Sequence, residues 1–245
     1  MILPQGWTLI EKNETVSTNA DAKNLPSGSG GTVIVADVQT GGRGRLGRSW
    51  ASPAGNLYVS ICLEKVPLAW AGMYSFLTAV SLMQAMERLC SGIGVQCKWP
   101  NDLLVGGKKI SGILLETDGA DRLVAGVGVN IVSFPDSGML YQATSLKNEG
   151  YSVTRDQMLE SFLQSFAQWD AELKTNGSGR LLDAWQEKAY GVGGPITVNL
   201  PNRKMSGTFY GLDQDGCLLL NKDGEIVKIT AGDVFFGDQK QNWKE

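Results

Sequence analysis

The chain has 245 residues, 42% of them hydrophobic and 19% charged, with a formal net charge of −3. That composition supports one large domain, or a domain with a small appendage, around a real apolar core. Histidine is absent, which excludes Ser-His-Asp and Cys-His nucleophile systems, His-based zinc sites and an imidazole general base.

A mildly acidic chain also lacks the broad basic face of a dedicated nucleic-acid binder. No apolar run approaches the ~20 residues that cross a bilayer, so no membrane association is expected. The start, MILPQGWTLIEKNE, has neither the basic opening nor the apolar stretch of a signal peptide. Cys62, Cys90, Cys97 and Cys217 form no C-x-x-C pattern. They read as buried thiols in a reducing compartment, with cytoplasm the default.

In chain order, Thr8 to Val16 alternates weakly, as an edge strand would. Ser17-Thr18-Asn19 precedes a short helix-compatible run, Ala20 to Leu25. There a hydroxyl serves equally as a plain N-cap or as a ligand contact beside spare amide donors. Pro26 to Gly31 is a loop by composition. Thr32 to Val38 is β-branched and nearly all apolar, the pattern of a strand buried on both faces.

That strand delivers Gln39-Thr-Gly-Gly-Arg-Gly-Arg-Leu-Gly-Arg-Ser-Trp50, in which Arg43, Arg45 and Arg48 alternate with glycines and no acid intervenes. Glycine allows a backbone to approach a ligand closely, and the guanidinium fork suits phosphate or carboxylate. A mobile anion-binding loop is the expectation, against the blander possibility of a solvated surface loop. Gly42-x-Gly44-x-x-Gly47 matches the dinucleotide fingerprint only by letter. The fingerprint must open a helix, whereas Asn56 to Leu63 reads as another strand. No Gly-x-x-x-x-Gly-Lys-Ser/Thr run exists, so there is no P-loop.

From Trp70 to Arg88, Phe76, Leu77, Val80, Met83 and Met86 recur at helical spacing, and Gly92 and Gly94 end the run. Val95 to Lys98 is strand-like and stops before Pro100. Alone, Lys98 reads more readily as a solvated strand lysine than as a site residue. Leu103 to Val105, a Gly106-Gly107 turn and Lys108 to Thr117 make a hairpin. Asp118-Gly119 turns into Leu123 to Ile131, where Gly126 and Gly128 leave a trough on one face for a backbone or a ligand. Residues 133–150 are irregular, with Phe134, Pro135, Met139, Leu140 and Tyr141 available as a cover. Thr154-x-x-Gln157 is a capping box opening a long amphipathic helix, followed by a shorter one from Leu181 to Tyr190. After the Gly191-Val-Gly-Gly194 linker, four short strands with Asp-Gly turns suggest a small β-barrel.

Together these motifs resemble the biotin–protein ligases. Ser17-Thr-Asn19, the Gln39 to Trp50 loop, Lys98-Trp-Pro-Asn-Asp102, Lys109-Ile-Ser-Gly-Ile-Leu114 and Gly126-Val-Gly-Val-Asn-Ile131 occur in that family's order. The resemblance spans residues 10–236 and is most specific in the arginine loop combined with the Lys-Trp-Pro-Asn-Asp run. It implies an α+β fold: a central mixed β-sheet with flanking helices, related to class II aminoacyl-tRNA synthetases, plus a C-terminal SH3-like barrel. The implied division is a catalytic domain over 1–190, the barrel over 191–237 and a tail over 238–245.

The resemblance implies that Ser17, Thr18, Asn19 and Gln39 hold the biotin ureido end, with Gly42, Gly112 and Gly128 also at the biotin site. Arg43, Gly44 and Arg45 lie on the closing loop, and Lys98 touches the carboxylate being activated. Lys98, Arg43 and Arg45 are the implied catalytic residues. Arg45, Arg48, Trp50, Asn101 and Asn130 face the nucleotide, and Asn130 also the metal. Substrates are ATP with Mg²⁺ and biotin, with no tightly bound prosthetic group. The implied partner is the biotin carboxyl carrier domain of acetyl-CoA carboxylase or a related carboxylase, and the enzyme itself a monomer or weak homodimer. Because the Ser-Thr-Asn motif falls at residue 17, the N-terminal DNA-binding domain of some members is not expected, nor is DNA as a partner.

The residues suit that chemistry. A carboxylate ionised at pH 7 needs no general base to attack the α-phosphate of ATP, but two anions must meet. Lys98, the arginine loop and Mg²⁺ supply the charge, and a glycine-rich loop that closes would keep water from an acyl-adenylate. Two alternatives stay open: a lipoate or octanoate ligase of the same fold, whose usual arginine-glycine-histidine pattern cannot occur here, and a non-enzymatic biotin or nucleotide sensor.

Overall fold

The computed structural model describes residues 1–117, 122–135 and 142–236. The turn expected at Asp118-Gly119, the covering residues Met139, Leu140 and Tyr141, and the tail from 238 lie outside the described residues.

Seven strands form a mixed sheet: β1 (Thr8–Thr15), β2 (Thr32–Gln39), β3 (Leu57–Leu63), β4 (Val95–Lys98), β5 (Asp102–Val105), β6 (Lys108–Thr117) and β7 (Leu123–Val129). Their order is β1-β2-β3-β7-β6-β5-β4. β1 runs parallel to β2 at one edge, and every other pair is antiparallel. The weak alternation of β1 is that of an edge strand, as expected.

Period-2 alternation divides the sheet between two layers. Val33, Val35, Val59 and Ile61 join the main core with α2 (Met73–Leu89) and α3 (Arg155–Asn176). Ile34, Cys62 and Val124 face the other way and meet Ala22 of α1 (Thr18–Lys23) in a separate small cluster. α3 opens on the expected capping box, with Thr154 and Gln157 bonding each other's backbone reciprocally.

α2 starts at Met73, three residues past the expected Trp70, because Leu68–Trp70 form a separate 3₁₀ turn. α4 (Gly179–Glu187) stops short of Tyr190. Its following residues pair with the β4 edge instead: the Cys97 amide donates to the Lys188 carbonyl and the Tyr190 amide to the Cys97 carbonyl, both at 2.8 Å.

Beyond the glycine linker, β8 (Pro195–Asn199), β9 (Lys204–Leu212), β10 (Leu218–Lys222), β11 (Glu225–Ile229) and β12 (Asp233–Phe236) form a five-stranded antiparallel sheet. Its order is β11-β10-β9-β8-β12. Four of these strands were expected; β12 was not. No helix among the described residues is long and apolar enough to cross a membrane.

Candidate active site

A cavity of about 570 Å³ opens on the face of the sheet that α1 covers, bounded by the arginine loop and roofed in part by β12. It brings together Ser17, Thr18, Asn19, Gln39, Arg43, Gly44, Arg45, Arg48, Trp50, Lys98, Asn101, Gly112 and Gly128. Of the expected site residues, Gly42 and Asn130 do not line it. A Cβ at Gly42 would lie 2.4 Å from the Trp50 carbonyl, so this glycine serves the close packing of the loop on itself. Asn130 is buried and its amide donates to the Thr144 carbonyl at 3.0 Å, tying the end of β7 to the segment that follows.

The α1 wall is a hydrogen-bonded chain. Ser17 occupies the N-cap position but makes no side-chain cap bond. Instead the Thr18 amide and hydroxyl donate to Gln39 Oε1 at 2.9 and 3.1 Å, and Gln39 Nε2 donates to Ser52 Oγ at 2.9 Å. Ser52 in turn donates to the Trp50 carbonyl at 3.0 Å. On the other side, the fully buried Ser60 hydroxyl sits 2.5 Å from Asn19 Oδ1 and 2.7 Å from Thr18 Oγ1. A hydroxyl in mid-strand among β-branched neighbours carries no sequence signal, so sequence reasoning does not find Ser60.

The glycine trough is filled by side chains. A Cβ at Gly126 would lie 1.9 Å from Asn19 Oδ1, and one at Gly128 2.4 Å from the Trp50 indole. Gly112, paired with Gly128 across β6 and β7, lies under the same ring. Trp50 Nε1 is buried without a hydrogen-bond partner among the described residues. Lys109 Nζ stands 5.3 Å from the ring centroid, in cation–π range.

Two ammonium groups share one carboxylate at the floor. Lys109 Nζ is 2.6 Å from Asp102 Oδ1, and Lys98 Nζ is 3.9 Å from Asp102 Oδ2. Lys98 is only 4% exposed. Burial brings its pKa down from 10.5 to about 7, with Asp102 pulling up and Lys109 pushing down. The sequence motifs that contain Lys109 and Asp102 assign neither of them a role. The Gly106-Gly107 turn implies the pairing of β5 with β6, but the irregular register between Leu103 and Leu104, on the way from Asp102 to Lys109, carries no local signal.

Carboxylates from two elements hold the arginine loop. Arg48 Nη2 donates to both oxygens of Asp233 at 2.9 and 2.8 Å, and Arg45 lies 3.7 Å from the same group. Arg45 also donates to Asn101 Oδ1 at 3.1 Å and to the Gly232 carbonyl at 3.3 Å. Asp233 and Gly232 belong to the unexpected strand β12 and its approach, so the C-terminal sheet contributes directly to the cavity. At the other end Arg43 Nη2 reaches Glu116 on β6 at 3.0 Å.

Residues 9–130 match the biotin/lipoate A/B protein ligase family, and residues 192–237 match the biotin protein ligase C-terminal domain. The chain is 36% identical to a biotin--[acetyl-CoA-carboxylase] ligase of Paracoccus denitrificans, over 91% of this chain and 98% of that one. It is 34% identical to the bifunctional ligase/repressor BirA of Bacillus subtilis, over 95% of this chain and 75% of that one. Its fold superposes on a biotin protein ligase from Aquifex aeolicus, solved in complex with biotin and ATP, with TM-score 0.83 and 29% identity, covering 94% and 99% of the two chains. The sheet, the arginine loop over the glycine trough and these relatives agree: the chain belongs to the biotin protein ligase family.

Proposed function

We propose that this protein is an ATP-dependent biotin–protein ligase serving the biotin carrier domain of a carboxylase such as acetyl-CoA carboxylase. One observation carries the reading. A single cavity gathers a polar wall, three arginines and two ammonium groups in a chain whose Aquifex aeolicus relative was solved with biotin and ATP.

In this reading Ser17, Thr18, Gln39 and the Asn19 wall receive the ureido group, and the trough over Gly112 and Gly128 takes the ring system. The Trp50 indole, which lies over these glycines, offers its face to the heterocycles. The biotin carboxylate lies at Lys98 and Lys109. Arg43, Arg45, Arg48 and Asn101 face the phosphates and nucleotide of ATP, which enters with Mg²⁺ as part of the substrate. Asn130 keeps the structural bond to Thr144.

The first step is attack of a carboxylate oxygen on the α-phosphorus. The new O–P bond forms as the bond to the bridging oxygen breaks, and diphosphate leaves. Fixed cations aimed at this charge are worth ~3–4 kcal/mol per donor. The second step is attack of the acceptor lysine amine on the acyl carbon, with AMP leaving and the amine proton lost to solvent or base. Between the steps the loop, held by Glu116 and Asp233, keeps water from the mixed anhydride. The catalytic part is residues 1–190. The C-terminal part is 191–237, and its five strands, Pro195 to Phe236, close as an SH3-like barrel that carries Asp233.

Incubation with MgATP, biotin and an isolated carrier domain tests the reading by mass spectrometry. One biotinyl addition per carrier is expected, with lipoate a poor substitute. Binding of biotin and ATP without transfer would overturn it in favour of a sensor.

A further inference from the structure

Glu116 lies on β6 outside the main cavity, beside a smaller one under the tip of the arginine loop. It is a second tie between α1 and the arginine loop, at the loop's tip rather than at Gln39, where Thr18 already joins the two. Asn19 Nδ2 donates to Glu116 Oε2 at 2.9 Å and to the Leu114 carbonyl at 3.2 Å. Arg43 donates to both Glu116 oxygens at 3.3 and 3.0 Å, and Lys23 Nζ to Oε1 at 3.2 Å. Burial alone would raise the Glu116 pKa, but Asn19, Lys23 and Arg43 outweigh it and hold the carboxyl below its ordinary value.

We propose that Glu116 is a positioning residue that sets both the recognition wall and the arginine loop, so that one carboxylate couples their geometry. The inference rests on the ligase reading for what is coupled. The Asn19 amide has two possible orientations. With Glu116 and the Leu114 carbonyl on one side, only Nδ2 can face them, which leaves Oδ1 to the Ser60 hydroxyl. Both ends of Asn19 are then committed, so it acts by holding the N-terminus of α1, with Ser17 and Thr18, against the trough. The same carboxylate supplies the counter-charge that draws Arg43, 46% exposed, down onto the sheet. Sequence gives no hint of this, because Glu116 lies near the end of a hairpin strand where an exposed acid is ordinary.

Glu116→Gln and Glu116→Ala separate the two roles. The glutamine keeps an acceptor oxygen for Asn19 but loses the charge that holds Arg43; alanine loses both. In the ligand-free protein, trypsin cleavage after Arg43, Arg45 and Arg48, mapped by fragment mass, should speed several-fold in both variants, since cleavage tracks local opening. With MgATP and biotin, both variants should release the adenylate several-fold faster than wild type on desalting. Only Glu116→Ala should raise the KM for biotin by about tenfold, the effect of 1.4 kcal/mol. Wild-type cleavage rates in Glu116→Gln would overturn the proposal, as would equal KM increases in both variants. If wild type makes no adenylate, the ligase reading fails, and the proteolysis arm still decides whether Glu116 holds the loop.

Discussion

The Lys98 ammonium is held at about pKa 7, well below its ordinary 10.5, chiefly because it is buried. Below pH 7 it is protonated both folded and unfolded, and the folded state bears the full desolvation cost. Between about pH 7 and 10.5 the unfolded chain binds more protons, so this residue contributes stability that grows as pH rises through that window. Urea denaturation at pH 7 and pH 9 should show this gain in the wild type, and Lys98→Met should lose it. A ligand carboxylate placed beside Lys98 restores the charge. Biotin binding at pH 8 should therefore take up a proton, read as a dependence of calorimetric enthalpy on buffer ionisation. Lys98→Met should abolish that uptake and lower adenylate formation by about 10²–10³-fold. Gly128 tests the other side of the cavity. Its Cβ would enter the Trp50 ring at 2.4 Å, and overpacking costs ~1–3 kcal/mol. Gly128→Ala should shift tryptophan fluorescence and raise the KM for biotin about tenfold or more.

At the scale of elements, legibility followed whether the signal was local. The capping box of α3, the Gly106-Gly107 hairpin and the apolar strands β2 and β3 declare themselves within ten residues and form as read. Thr154→Ala should accordingly cost about 1 kcal/mol in denaturant and leave activity unchanged. The strand β12 is not legible because, although Gly232 and Gly237 flank it, Asp233–Phe236 is only four residues long, too short for a period-2 pattern, and it is held by pairing with β8. Missing it hid Asp233, the partner of Arg48 and Arg45. The glycine trough was legible as a gap, but its occupants, Asn19 and Trp50, come from segments more than 70 residues away. Asp233→Asn removes the charge while keeping the shape. It should lower kcat/KM for ATP by roughly three- to tenfold, as for a partly buried ion pair, with the KM for biotin little changed.

At the scale of the whole molecule, the C-terminal sheet meets the rest of the chain at the cavity and, among other contacts, against the end of β4 and against α2. Trp99 Nε1, in the turn after β4, donates to the Gly216 carbonyl at 3.1 Å, and Gly216 itself rests on Phe76 of α2. At the cavity, the Gly232 carbonyl and the Asp233 carboxylate of that sheet accept from Arg45 and Arg48 of the arginine loop. A change in how the C-terminal sheet rests on α2 is therefore expected to reach the loop through Asp233, which the same sheet carries. Two glycines separate this effect from ordinary backbone strain. Gly216 and Gly224 both have left-handed backbones, at φ +75° and +92°, so alanine at either costs ~1–2 kcal/mol. At Gly224 a Cβ meets nothing within 4 Å, whereas at Gly216 it would lie 2.5 Å from the Phe76 ring. Gly224→Ala should lower the melting temperature slightly and leave kcat/KM for ATP intact. Gly216→Ala should lower both, with faster loss of adenylate, because lifting the sheet withdraws Asp233 from Arg48. Equal kinetics in the two variants would mean that the loop holds its place without the C-terminal sheet.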